Sequence, residues 1–217
     1  MPRARSPEAK DERRAVLLQA ALDEFFERGF TAARMDDIAR RAGVSKGALY
    51  LYFDSKEQMF SALIDTVALP NLALIEQKLA QAASAREALF GLLAMLPKVL
   101  QRSSLPRLAK ILIGDANHFP DMVRAYRERM IERGLKALTG LVERGNTNGE
   151  WQVANPALTA RLIMAPALFA GIWQVVFQRP DEKPLDVDAL FAQHAELLAR
   201  ALGVERPETQ KPAREKR

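Results

Sequence analysis

Apolar residues return every three or four positions almost throughout this chain of 217 residues, a period that fits the α-helix. A half-buried strand would alternate every second residue, and no such pattern stands out. Glycine, proline and asparagine fall between the periodic stretches, where they end one helix and begin the next. The expected fold is all-α, with about nine helices. Val16, Ala20, Phe25 and Phe26 lie along a first helix that stops at Gly29; a second runs from about Met35 to Ala42 and a third from Ser45 to about Phe53. Ser55, with Gln58 three residues later, has the form of a capping box and opens a fourth helix through Met59, Leu63 and Val67. Arg86 to Gln101, Pro106 to Asp115, Pro120 to Glu143, Pro156 to Phe177 and Asp188 to Leu202 follow, three of them opening on a proline that suits a first helical turn. Asn146 to Gly149 reads as a loop.

Composition narrows the class. With 48% hydrophobic residues the chain can bury a sizeable core, as one large domain or two small ones. There is no cysteine, which removes disulfides, thiolate metal sites and a cysteine nucleophile and fits a reducing cytoplasm. The charged N-terminus carries no apolar signal segment, so the expected location is cytoplasmic. Leu162 to Phe177 is the longest apolar run; interrupted by Pro166 and Gln174, it is shorter than the roughly 20 residues that span a bilayer and reads as a buried helix, so no membrane is expected. No Gly-rich phosphate loop, G-x-S-x-G elbow or metal-spaced histidine pair is present, and His118 and His194 lie far apart; the expectation is no metal, no cofactor and no enzyme.

The net charge of +5 suggests nucleic acid, yet residues 1–60 carry 11 basic against 10 acidic side chains, so bulk charge does not locate a site. Placement is more informative. Met35 to Phe53 holds two short helices around a tight turn. Ala39 is small where helices cross, Gly43 allows the positive φ of a sharp turn, and Ser45 can cap the next helix, while Ile38, Ala42, Val44, Leu49 and Tyr52 suit a small core. A helix-turn-helix of this kind lays its second helix in the DNA major groove, N-terminal residues toward the bases. Ser45, Lys46, Gly47 and Ala48 occupy that end: the helix terminus offers free N–H groups, Lys46 adds a mobile charge and Gly47 allows close approach.

Phe25-Phe26-Glu-Arg-Gly-Phe30, Met35-Asp-Asp-Ile-Ala39, Ala42-Gly-Val-Ser-Lys-Gly47, Leu49-Tyr50, Tyr52-Phe53 and Ser55-Lys-Glu57 together resemble the TetR family of regulators, over roughly residues 13–60. The resemblance implies that Lys46, Tyr50, Tyr52 and Lys56 contact operator phosphates and that residues 45–48 approach bases. For both tyrosines, packing with the polar tip outward is the alternative. Ala33 and Ala48 depart from the family pattern, each lacking a hydroxyl often found there; Arg34 then stands as a phosphate contact or as an exposed helix-start arginine.

One helix-turn-helix reads few base pairs, so a dimer on two half-sites about 34 Å apart is expected. Residues 156–177, nearly free of charge, and 188–202, with Leu190, Phe191, Leu197 and Leu198, form the candidate homodimer surface, matching the four-helix interface that the resemblance implies. The resemblance also implies an effector pocket between about Leu69 and Asn148. Phe90, Met95, Ile111, His118, Phe119, Trp173 and Phe177 are candidates for a largely apolar wall, with Asn117 and Gln174 as further polar groups; ordinary core packing explains each as well. The expected organisation is a basic flexible arm over 1–12, a DNA-binding domain over 13–56, an effector-binding and dimerisation domain over 57–202, and a disordered charged tail over 203–217. The expected function is that of a homodimeric regulator, a repressor released from a palindromic operator by a small apolar effector. The alternatives are a helical DNA-binding or interaction protein without sensing, and a helical enzyme.

Overall fold

The computed structural model describes residues 7–205, and within them every regular element is helical. The α-helices are α1 (Pro7–Arg28), α2 (Met35–Arg41), α3 (Lys46–Tyr50), α4 (Lys56–Leu63), α5 (Leu69–Gln81), α6 (Ala85–Arg102), α7 (Leu105–Asp115), α8 (Pro120–Tyr126), α9 (Arg133–Thr147), α10 (Pro156–Ile172) and α11 (Val187–Leu202). Turns of π-helix at Ile64–Ala68, Arg127–Glu132 and Trp173–Phe177 join α4 to α5, join α8 to α9 and prolong α10, so the described residues form nine uninterrupted helical runs. Residues 1–6 and 206–217, which include Arg3, Arg5, Lys211 and most of the expected tail, lie outside the described residues. Residues 7–12 are helical, so the stretch expected as a flexible arm contributes the first turns of α1: Pro7 suits helix position one, and Glu8 and its acidic neighbours favour the N-terminal end of the dipole.

Two compact units divide the described residues, the first from residues 7–68 and 107–126, the second from 69–106 and 127–205. The first therefore reaches beyond the boundary expected at residue 56 and recruits α7 and α8. Its core runs along α1 through Leu17, Leu18, Ala21, Leu22 and Phe25, all buried, whereas Val16 faces outward and Phe26 is half-buried. Phe25, Phe30, Phe60 and Phe119 make a tilted and edge-to-face aromatic cluster with ring centroids 4.7 to 6.4 Å apart. Ile38, Ala39, Leu49 and Phe53 close the core beneath α2 and α3. α3 ends at Tyr50, earlier than its sequence suggests. The Tyr52 N–H bonds to the Leu49 carbonyl three residues back, and this tighter turn draws Phe53 into the core.

In the second unit α5, α6, α9, α10 and α11 enclose one continuous core, from Ile75 and Leu79 through Leu89, Phe90, Leu93 and Leu96 to Leu138, Leu141, Ile163 and Phe191. Trp151, which follows the expected 146–149 loop, is buried and donates its indole N–H to the Val142 carbonyl at 2.9 Å. Its ring lies where a Cβ on Gly145 would stand, only 2.0 Å from it, so α9 needs a glycine there. Glu150 accepts from the Ala85 and Arg86 N–H groups at 2.8 and 2.7 Å; burial raises its pKa, but these bonds outweigh it and hold the carboxyl below its usual range.

Candidate nucleic-acid interface

The turn between α2 and α3 forms by local hydrogen bonding. Gly43 has φ of +67°; its N–H reaches the Arg40 carbonyl at 3.1 Å and the Val44 N–H reaches Ala39 at 3.0 Å, the paired bonds of a Schellman ending. Ser45 is extended, and its hydroxyl oxygen accepts from the Ala48 N–H at 3.2 Å, which starts α3. The Ser45 hydroxyl proton stays available to a phosphate oxygen. The box at the start of α4 takes a variant form: Ser55 accepts from the Gln58 N–H at 3.2 Å, while the Gln58 amide oxygen reaches past it to the Asp54 N–H at 2.6 Å.

Around this turn Ser45, Lys46, Gly47 and Tyr50 are exposed and Ala48 and Tyr52 half-buried, so of the two tyrosines Tyr50 presents more of its ring. Gly47 has no positive φ, and a Cβ there would meet nothing within 4 Å beyond its chain neighbours and its own helix backbone. Glycine inside a helix costs about 1 kcal/mol against alanine. Neither the fold nor the backbone at this position requires the missing side chain. Lys46 lies 2.9 Å from the Asp36 carboxylate and 6.0 Å from the centre of the Tyr50 ring. Arg34 is exposed at the start of α2, makes no capping bond and has no carboxylate within ion-pair distance among the described residues.

Lys56 has a different setting. Its ammonium donates to the carbonyls of Phe30, Thr31 and Ala33 at 2.8, 3.1 and 3.5 Å and lies over the Phe30 and Phe119 rings. The loop that Lys56 holds from its carbonyl side is held from its N–H side by Asp115, buried at the end of α7. The Asp115 carboxylate accepts from the Phe30 N–H at 2.8 Å, the Thr31 N–H at 3.1 Å and the Thr31 hydroxyl at 2.5 Å. Burial alone would raise its pKa, but the Thr31 hydroxyl and the two N–H groups outweigh that and hold the carboxyl below its ordinary value. Gly29, with φ of +80°, brings the loop back from α1 toward this carboxylate. Sequence reasoning missed Asp115, although a signal existed: an acid in the last turn of a helix opposes the dipole and so calls for a partner.

Comparison with known proteins identifies the family. Residues 17–63 match the model described as bacterial regulatory proteins of the tetR family, and residues 87–195, half the chain, match the C-terminal domain of AefR-like transcriptional repressors. The chain belongs to the TetR family of transcriptional regulators. Among relatives, the uncharacterised HTH-type regulator YfiR of Bacillus subtilis is 30% identical over 160 residues, covering 70% of this chain and 74% of its own. The transcriptional activator FasR of Mycolicibacterium smegmatis is 53% identical over 55 residues, a quarter of each chain. A TetR-family regulator from Mesorhizobium loti has the same fold, with a TM-score of 0.68 at 23% identity over 88% of this chain and 96% of that one.

The residues expected to line an effector pocket in this TetR-family chain are divided between the units. Phe90 is buried core, Met95 packs half-buried against it, and Ile111 is buried in the other unit. His118 is exposed and Phe119 half-buried; both line a cleft of about 330 Å³ in the first unit with Glu57, Phe60, Ile64 and Met122. Trp173 is half-buried and stacks between Phe169 and Phe177, with centroids 5.6 and 5.9 Å away.

The helix running from Pro156 to Phe177 corrects the expectation that the run Leu162–Phe177 is a buried helix. It is 22 residues long, and by length and composition it could cross a membrane, as could Lys56–Gln81, yet only 28% of its most apolar stretch is buried in the chain. Leu162, Phe169 and Val176, spaced seven residues apart, are 64%, 52% and 49% exposed, with Leu158 and Leu168 beside them. On α11, Phe191 is buried and Leu190 and Leu198 are half-buried against the core, so Leu197 is its exposed leucine.

Proposed function

We propose that this TetR-family chain is a homodimeric repressor that binds a palindromic operator through α3 of each protomer and is released by a small, largely apolar effector. Gly47 is the observation that carries the DNA-facing surface: its empty surroundings, at a cost in helix stability, leave the start of α3 open to a duplex. Ser45, Lys46, Ala48, Tyr50 and Arg34 complete the surface, with Tyr52 at its edge; Lys56, tied to three carbonyls, leaves the contact set and holds the α1–α2 loop instead. The match to a repressor C-terminal domain supports the reading of repression; the likeness to the activator FasR is confined to a quarter of the chain. In this reading the protein works in the cytoplasm on chromosomal DNA, as a regulator and not an enzyme.

The apolar seam Leu162, Phe169 and Val176 repeats at the heptad spacing that lets a partner helix pack knobs into holes, and a second copy is its occupant in this reading. Effector sensing rests on the family, whose members typically take small-molecule ligands; Phe90 and Met95 are the candidates for its wall in the second unit. Effector binding must favour the DNA-incompetent state by roughly 1 to 3 kcal/mol to act as a switch. The test uses duplexes selected by the protein from a random pool. Lys46→Ala and Arg34→Ala should each weaken binding with unchanged dimer mass, and a compound that raises the melting temperature should release the duplex. Full binding by both variants would refute the assigned surface.

A further inference from the structure

Most cations of α2 and its flanks are already neutralised by the protein. Arg40 pairs with Asp37 at 2.8 Å, Arg41 with Glu24 at 3.1 Å and with Glu27, and Arg28 with Glu24 at 2.9 Å. The Arg41 pairs tie α2 to α1, the Arg40 pair lies within α2 and the Arg28 pair within α1, so each has an evident structural role. The Lys46–Asp36 pair differs. It joins the first turn of α2 to the first turn of α3, both side chains are more than half exposed, and each carboxylate oxygen lies near the ammonium, at 2.9 and 3.1 Å. An exposed pair of this kind adds little to folding and exchanges readily for another anion. It nonetheless occupies the one lysine at the start of the recognition helix and sets a fixed negative charge where a phosphate would approach.

We propose that Asp36 is a specificity-determining residue that holds Lys46 away from DNA until an operator presents a phosphate in the right place; this rests on the reading of α3 as the DNA-contacting helix. On arbitrary sequence no other contact holds a phosphate close enough to displace the carboxylate, so Lys46 stays paired and contributes nothing. On the operator, contacts by the rest of α3 bring the phosphate to Lys46 and the exchange occurs. Asp36 thereby lowers affinity for non-specific duplex more than affinity for operator, which matters because competing genomic sites are so numerous. The near balance of 11 basic and 10 acidic residues over 1–60 agrees with a surface that does not bind by charge alone.

Binding of the full-length protein to a selected operator and to a scrambled duplex, each across a salt series, tests this. Asp36→Asn and Asp36→Ser, both able to serve a helix start, should tighten scrambled-duplex binding about three- to tenfold and steepen its log K against log salt slope by about 0.9, the value of one added phosphate contact. Operator affinity should rise less, so the ratio falls. Adding Lys46→Ala to either variant should abolish the gain. Equal gains on both duplexes, or a gain that survives Lys46→Ala, would overturn the role of Asp36. Unchanged operator binding by Lys46→Ala alone would instead overturn the underlying reading of α3.

Discussion

Replacing Asp115 by alanine is expected to cost the helix-turn-helix unit about 2 to 4 kcal/mol. The carboxylate satisfies the Phe30 N–H, the Thr31 N–H and the Thr31 hydroxyl. The Phe30 group is fully buried, and a buried donor stripped of its acceptor costs about 1 to 3 kcal/mol; the partly buried Thr31 groups recover some of their loss from water. Asp115→Asn keeps one acceptor oxygen but turns an NH2 group toward an N–H donor, so it should fall between alanine and the parent. The pH dependence follows from the lowered pKa. A carboxyl whose pKa in the folded chain lies below its unfolded value, about 3.9, stabilises fully above that value and loses the contribution as pH falls through the folded pKa. Urea unfolding of parent and variants at pH 7, repeated down to pH 3, measures both effects. At pH 7 the midpoints should separate, and toward pH 3 they should converge. An Asp115→Ala midpoint equal to the parent's at pH 7, or a separation that persists undiminished at the lowest pH, would refute the reasoning.

Gly47→Ala separates stability from binding, because the two should move in opposite directions. The added methyl meets nothing within 4 Å beyond its own helix and should stabilise by up to about 1 kcal/mol, while operator affinity falls; a loss of both in thermal melts and titrations would show an internal need for this glycine. Gly145→Ala should destabilise the second unit by about 1 to 3 kcal/mol through overpacking against Trp151, read as a lower urea midpoint with a red-shifted or broadened tryptophan signal, and an unaltered midpoint would contradict the close approach. Phe169→Glu combined with Leu197→Glu should convert the dimer to monomer in sedimentation at micromolar concentration with helicity retained, since both side chains are exposed in the single chain; a tight dimer would place the interface elsewhere.

Local features were legible in advance because their physics is local. The Schellman ending at Gly43 and the cap at Ser45 each use hydrogen bonds between residues at most five apart, and the chemistry of one or two side chains suffices to specify them. Helical periodicity likewise located almost every element, and it failed where burial had to be judged. The apolar run 162–177 reads both as a buried helix and as part of the homodimer surface, because apolarity records only that a face avoids water and not whether its own chain or a partner covers it.

The sequence by itself determined the all-helical architecture, the helix-turn-helix and the family. The roles of individual charges were decided only by tertiary structure. Lys56, a phosphate contact by the resemblance, is held by carbonyls 23 to 26 residues away, and Asp115, unremarked in the sequence, grips a loop 84 and 85 residues before it. Lys46 kept its place at the head of α3 but acquired a partner from α2. An ionic side chain carries no preference for a partner in its own sequence; which charge or carbonyl it meets depends on packing that brings distant segments within about 3 Å, and no periodicity encodes that distance.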